Sequence, residues 1–134
     1  MGAWDASSFG NDTANDWAYS LEECSDLGCI EEALQRVLDA GDEYLEAPDA
    51  EEAIGAAEVV AWLLGRRGEL NAYTEKIAVW VEAHPIRPPQ KLVDSAVAVL
   101  DRIQGSDSEL AELWEGQAEW VAAIGDLRKR LDGG

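Results

Sequence analysis

The chain has 134 residues, of which 47% are hydrophobic, and its 28 acidic residues outnumber 10 basic ones, for a net charge of −18. One domain of this length buries enough apolar surface to fold without metal or disulfide, and its negative field disfavours nucleic acid and anionic membranes as partners. Residues 1–65 hold 16 acidic residues and a single basic one, Arg36. A basic protein or cations would be attracted to this half, although the same asymmetry is typical of a soluble or salt-adapted protein.

Helical periodicity recurs along the chain, and no segment alternates apolar and polar residues as a strand would. Asn11 or Asp12 can cap the first helix, and Gly41 ends the second. The fourth helix must stop at His84 because a proline follows. This pattern predicts a single all-α domain over residues 1–134, a bundle of about six helices with an ordered N-terminal loop. The predicted helices cover about 12–24, 27–40, 48–64, 74–84, 88–105 and 106–131. The fifth helix is expected to leave Asp94, Asp101 and Arg102 in solvent.

The sixth predicted helix carries the strongest local signal. Ser106 and Glu109 form a capping box, S-x-x-E, at its start. Arg128, Lys129 and Arg130 lie in its last turn, where positive charge interacts favourably with the helix dipole, so we interpret them as structural. Its predicted apolar face consists of Leu110, Leu113, Trp114, Val121, Ile124, Leu127 and Leu131.

Cys24 and Cys29 are the only cysteines. Two thiols cannot complete a four-ligand zinc site unless His84 and another group join them from a distance. We expect a cytoplasmic protein, because no charged segment followed by an apolar one opens the chain and the least polar run, residues 53–65, is too short to span a bilayer. In a reducing cytosol the cysteines are expected to pack as small apolar thiols, and a redox pair spaced C-x4-C is the alternative.

The opening stretch GAWDASSFGNDTANDW combines aromatic and acidic residues. It resembles a bacterial family catalogued as domain of unknown function 4259, whose members open with a similar GAWG-x-x-x-F-x-N-D-x-A-x-D-W pattern; Asp5 stands where that pattern has glycine. The stretches DEYLEAPDAEEAIGAAEVVAW and SDSELAELWE resemble the family's middle helix and the start of its last one. The resemblance implies a fold and its boundaries but no activity. The matching positions are Gly2, Ala3, Trp4, Phe9, Asn11, Asp12, Ala14, Asp16, Trp17, Glu58, Leu113 and Trp114.

Two carboxylates four residues apart, those of Asp12 and Asp16, share a face of the first helix. Their repulsion must be offset by a cation, by backbone amides of the N-terminal loop or by the Trp4 indole. A calcium loop that starts at Asn11 lacks the glycine its sharp turn needs. Glu58 is the only charge in residues 53–64, a stretch that is apolar nearly all round, so it needs hydrogen-bond donors, which the N-terminal segment could supply. The candidate binding residues are therefore Trp4, Asn11, Asp12, Asp16, Trp17 and Glu58.

No complete catalytic, metal or nucleotide motif occurs in the sequence, and we expect no cofactor. His84 is expected to be an exposed helix cap. The leading hypothesis is a non-catalytic cytoplasmic interaction module, similar to an immunity or inhibitor protein, whose acidic half binds a basic protein and neither nucleic acid nor membrane. One alternative is a metal-dependent enzyme or cation-binding protein that uses Asp12, Asp16 and Glu58. Another is a structural homodimer formed through the sixth helix, with Trp120 at its surface.

Overall fold

The computed structural model describes residues 12–68, 74–115 and 117–132, with Asp12 described by its backbone alone. Within these ranges the chain forms seven α-helices and no strand, which confirms the predicted all-α domain. None of the helices described combines the length and the apolar character needed to cross a bilayer. The helices are α1 (Asp12–Leu21), α2 (Gly28–Ala40), α3 (Ala47–Leu63), α4 (Glu75–Ala83), α5 (Gln90–Gln104), α6 (Glu109–Trp114) and α7 (Ala118–Asp132).

The central element of the fold is α3, which contacts each of the six other helices described. Twelve of its 17 residues are buried. A helix that is apolar on every side has to be surrounded by other elements, and the alanines of α3 let their backbones approach closely. Pro48 lies in its first turn, where a missing N–H costs nothing, and Gly65 follows its end with a φ of +84°.

The first five predicted helices are present, with ends that differ by a few residues from the prediction. The largest difference is at α1, which ends at Leu21 and not at Cys24. The three amides that follow Leu21 each bond to the carbonyl three residues back, as in a tightening last turn. The second helix, α2, ends as predicted at Gly41, its C-cap, whose φ is +54°.

The prediction of one long sixth helix is wrong, because two helices occupy that segment. Glu115 adopts a left-handed conformation, with φ 50° and ψ 36°, and ends α6. The predicted capping box is wrong as well: Ser108, not Ser106, is the N-cap, and its Oγ accepts a hydrogen bond of 3.4 Å from the Ala111 N–H. The Glu109 carboxylate accepts from the Ala47 N–H at 2.8 Å and so caps α3.

A short parallel bridge explains why the α6 start is displaced. The Leu45 N–H donates to the Asp107 carbonyl at 2.7 Å, and the Glu109 N–H donates to the Leu45 carbonyl at 2.9 Å. These bonds hold the residue between them, Ser108, in an extended conformation. The segment therefore cannot become helical before Glu109.

Splitting the helix also changes which side chains are buried. Leu113 and Val121, predicted for the apolar face, are 49% and 45% exposed. Trp120, predicted to reach the surface, is only 4% exposed. Its ring stacks on that of Trp114, with centroids 6.5 Å apart and planes within 6°. Trp120 is therefore buried after the break between α6 and α7, so it offers no anchor for a dimer.

The prediction of two free thiols is also wrong, because Cys24 and Cys29 form a disulfide. The turn between α1 and α2 brings their Cα atoms to 6.5 Å, within the range that a disulfide spans. Inside the turn the Asp26 carboxylate accepts from the Gly28 N–H at 2.9 Å. The Trp80 indole N–H, from α4, donates to the Cys24 carbonyl at 2.9 Å.

We predict that Glu115→Gly raises the free energy of unfolding by about 0.5–1 kcal/mol, because glycine adopts the left-handed conformation without a steric penalty. Ala122→Gly, at an exposed position inside α7, is the control and should lower it by about 1 kcal/mol. Urea denaturation of both variants measures the difference. A loss of stability in Glu115→Gly equal to that of the control would contradict the role of this residue as the helix break.

Candidate functional site

Three of the six candidate binding residues have described side chains. Trp4 and Asn11 lie outside the described residues, and so does the side chain of Asp12. Asp16 is exposed on α1, Trp17 is buried on the same helix, and Glu58 is buried on α3. The three belong to two different places, the interior beside α7 and a cleft between α1 and α2.

The interior place is a buried ion pair that joins α3 to α7. Trp62, one turn after Glu58, donates its indole N–H to Glu58 Oε2 at 2.9 Å. From α7 the Arg130 guanidinium reaches both carboxylate oxygens, through Nη1 to Oε2 and through Nη2 to Oε1 at 3.1 Å. The two side chains are only 6% and 17% exposed. Glu58 thus accepts hydrogen bonds, as the sequence predicts, but the described donors are Trp62 and Arg130.

Arg130 is fixed by further contacts on its own side of the pair. Its Nε donates to Asp126 Oδ2 at 2.9 Å, and the Arg66 guanidinium donates to the Arg130 carbonyl at 2.9 Å. Burial lowers the pKa of Arg130, but the hydrogen bonds and charges of Glu58 and Asp126 outweigh this effect and raise it above its usual value. The guanidinium is therefore permanently charged, and the pair is an electrostatic tie between helices.

Gly68 shows how tightly this pair is enclosed. A Cβ added at Gly68 would lie 2.9 Å from both Glu58 Oε2 and Arg130 Nη1. Such a distance is shorter than any tolerated contact, so a side chain here would displace the pair. Both carboxylate oxygens of Glu58 accept hydrogen bonds from donors on α3 and α7.

The second place is a cleft of about 230 Å³ between α1 and α2, lined by Asp16 and Ser20 from α1 and by Glu32 and Arg36 from α2. Glu52 of α3 closes it. Arg36 donates to Glu32 at 2.8 Å and to Glu52 at 2.5 Å, so it pairs with two of the three carboxylates that line the cleft. Trp17 lines the cleft and is otherwise buried in the core, which fixes the position of Asp16 beside it.

The cleft belongs to a larger acidic surface formed by α1, α2 and the turn between them. Arg36 is the only basic residue in α1, α2 and α3. Within the described ranges, Glu32 is the one member of this surface with an arginine partner. We call this set the α1–α2 acidic surface; its exposed members are Asp16, Glu22, Glu23, Asp26, Glu31, Glu32 and Asp39.

The described residues do not bring together a metal site. In the parts of the chain that the structure describes, no three histidine, cysteine, aspartate or glutamate side chains are placed to hold a metal ion. Asp16 faces the cleft, whereas Glu58 faces Arg130. The two described carboxylates of the predicted cation site therefore lie in different surroundings.

Two side chains differ from their predicted exposure. His84 is the C-cap of α4 as predicted, but it is half-buried, with its ring stacked on Trp80 at 4.6 Å and its Nδ1 3.0 Å from the Trp80 carbonyl. Arg102 does not point freely into solvent. It donates to the carbonyls of four residues in two loops, which it binds together: Gly41, Glu43, Ser106 and Asp107.

Residues 2–123 match the model of a family described as a domain of unknown function (DUF4259). The chain belongs to this family. No curated protein and no solved structure matches the chain. The match to DUF4259 includes Asp16, Trp17 and Glu58 but ends before Arg130, so the partner of Glu58 lies outside the matched residues.

Sequence reasoning missed Arg130 as the partner of Glu58 in this DUF4259 protein. The two residues are 72 positions apart, and Arg130 has an obvious local explanation in the helix dipole. One signal was available: a buried carboxylate requires a cation or several donors, and the second half of the chain holds nine of the ten basic residues.

We predict that Glu58→Gln lowers the free energy of unfolding by about 3 kcal/mol, because it leaves the Arg130 charge without its counter-ion. Asp126→Asn removes a carboxylate from the exposed side of the same guanidinium and should cost less than about 1 kcal/mol. The double variant Glu58→Leu/Arg130→Met should recover most of the loss. Urea denaturation measures all three, and equal losses for Glu58→Gln and Asp126→Asn would contradict the buried tie.

Proposed function

We propose that the protein is a non-catalytic interaction module whose α1–α2 acidic surface binds a basic protein, in the manner of an immunity or inhibitor protein. The observation that carries this proposal is the surface itself, where seven exposed carboxylates have one arginine among them. A concentration of one sign of charge raises the rate of encounter with a partner of the opposite sign and disfavours partners of the same sign.

The way α2 is anchored supports this proposal. Ile30, Ala33, Leu34 and Val37 bury one side of the helix in the core. Its carboxylates Glu31, Glu32 and Asp39 lie on the exposed side. A surface carried on a packed helix loses little conformational freedom on binding, so more of the interaction energy appears as affinity. A rigid acidic helix is the kind of element that an inhibitor protein offers to a basic partner.

The other hypotheses have less support. A catalytic or cation-binding role for Glu58 would require the carboxylate to leave Arg130 and Trp62, with the cost of an unpaired buried arginine. A dimer formed through the last helix loses its expected anchor because Trp120 is buried. The cytoplasmic location stays a prediction, and the disulfide between Cys24 and Cys29 bears on it, because lasting disulfides are rare in reducing compartments.

We predict that removing three charges from the α1–α2 acidic surface weakens binding to a basic probe far more than removing three elsewhere. The probe is polylysine of defined length, titrated by calorimetry at low and moderate salt. The variant Asp16→Asn/Glu22→Gln/Glu31→Gln should bind about tenfold more weakly at low salt, and added salt should narrow the difference.

The matched control, Asp94→Asn/Asp107→Asn/Glu119→Gln, removes the same charge from α5, the α5–α6 loop and α7. It should weaken binding by about twofold or less, because these sites lie off the proposed surface. Asparagine suits the positive φ of 55° at Asp107, so the control keeps its backbone. Equal weakening in both triple variants would show that net charge alone attracts the probe, and the proposal would fail.

A further inference from the structure

We propose that the Cys24–Cys29 disulfide is a reversible redox switch that fastens and releases the turn between α1 and α2. The bond joins the residue three positions after α1 to the second residue of α2, and it encloses a turn of four residues.

Both cysteines are within reach of a small thiol. Cys24 and Cys29 are half-buried, and Cys29 lines the open cleft between α1 and α2 beside Asp16 and Ser20. Thiol–disulfide exchange needs a thiolate to approach one sulfur in line with the bond that breaks. A disulfide at the edge of a solvent-filled cleft allows that approach without unfolding of the protein.

The helices on either side do not depend on the disulfide for their positions. Four residues of α1, Ala14, Trp17, Ala18 and Leu21, are buried in the core. Four residues of α2 are buried in the same core, Ile30, Ala33, Leu34 and Val37. The bond also closes a short loop, so it removes less entropy from the unfolded chain than a bond across a long loop would. A switch requires that both of its states fold, and these two features meet that requirement.

The reduction balances with two small thiols as the reductant. The thiolate of the first attacks Cys29 Sγ, the Sγ–Sγ bond breaks, and Cys24 leaves as a thiolate that takes a proton from water. The thiolate of the second attacks the external sulfur of the resulting mixed disulfide, and Cys29 leaves as a thiolate. Two electrons pass to the protein, which becomes a dithiol, and the two small thiols become one disulfide.

Release of the bond acts on a turn whose other ties are hydrogen bonds. The Trp80 indole N–H bonds to the Cys24 carbonyl, the Asp26 carboxylate accepts from the Gly28 N–H, and the amides of residues 22–24 bond to carbonyls three residues back. A segment with few buried apolar contacts opens locally at low cost once a covalent tie is removed. Reduction should therefore loosen residues 22–29 while α3 and α5, in the core, stay closed.

The charges at the turn determine which thiols reduce it fastest. Glu22, Glu23 and Asp26 are exposed on the turn, and Glu31 and Glu32 begin α2. An anionic thiol such as glutathione is repelled by this field, whereas a cationic thiol such as cysteamine is attracted. The structure thus assigns the switch to cationic or uncharged thiols in preference to anionic ones.

The test begins with the oxidised full-length chain and three thiols, cysteamine, 2-mercaptoethanol and glutathione, at equal thiolate concentration. Alkylation and mass spectrometry follow the rate of reduction. The expected order is cationic, then uncharged, then anionic, with about tenfold between the extremes at low salt and less at high salt. Glu22→Gln/Glu23→Gln should narrow this spread, and Asp94→Asn/Glu119→Gln should leave it unchanged. Equal rates for all three thiols, or resistance of the folded protein to all of them, would overturn the proposal.

Hydrogen exchange then compares the oxidised and reduced proteins. Faster exchange confined to residues 22–29 is expected, and the double variant Cys24→Ser/Cys29→Ser should reproduce it without any thiol. Reoxidation with excess cystamine, the disulfide of cysteamine, passes the two electrons from the dithiol to cystamine, which becomes two cysteamine thiols, and should restore slow exchange. Faster exchange throughout α3 and α5 would show that the bond is a structural staple, and unchanged exchange in the turn would show that the bond controls nothing; either result overturns the switch.

Discussion

A carboxylate on a helix that is buried on every side must be neutralised by another element, and this constraint determines where the last helix lies. Glu58 is the only charged residue in the second half of α3, and α3 packs at the centre of the domain. The bidentate contact with Arg130 brings α7 against α3, and Trp62 donates its indole N–H to the same carboxylate. Because removal of one partner leaves a buried charge, the pair specifies one arrangement of the two helices.

The sequence predicts most helices because their signals are local, and it fails where the decisive contacts are distant. Apolar spacing and terminal glycines locate the first five helices to within a few residues. The break at Glu115 has a local signal, because Gly116 follows it in the sequence, but the apolar spacing that continues on both sides favours one helix. The displaced start of α6 comes from hydrogen bonds to Leu45, more than 60 residues earlier, which compete with the helical signal around Ser106. Tertiary contacts of this kind override a local capping box.

The same distinction applies to the candidate site. Glu58 is identifiable from the sequence, because one carboxylate in an apolar run has to be compensated. Its partner is not, because Arg130 looks like an ordinary C-terminal cation of a helix. The expectation of two thiols rests on the redox state of an expected compartment, which carries no information on the distance between the two cysteines. The turn that brings Cys24 and Cys29 together depends on how α1 and α2 each pack in the core.

The arrangement of arginines explains why the acidic half of the protein stays unneutralised. The second half of the chain carries nine basic residues, and four of its arginines bind groups away from the exposed carboxylates of α1 and α2. Arg130 holds Glu58, Arg102 holds loop carbonyls, and Arg128 pairs with Asp101 and Asp132. Arg66 donates to a carbonyl of α7. These four arginines serve the packing of α3, α5 and α7 and of the loops beside them, whereas Lys91 lines a cavity with Glu31 and Glu32, and Lys76 lies over the Tyr19 ring. Two lysines and Arg36 do not balance seven carboxylates, so a partner that neutralises that surface has to bring positive charge of its own.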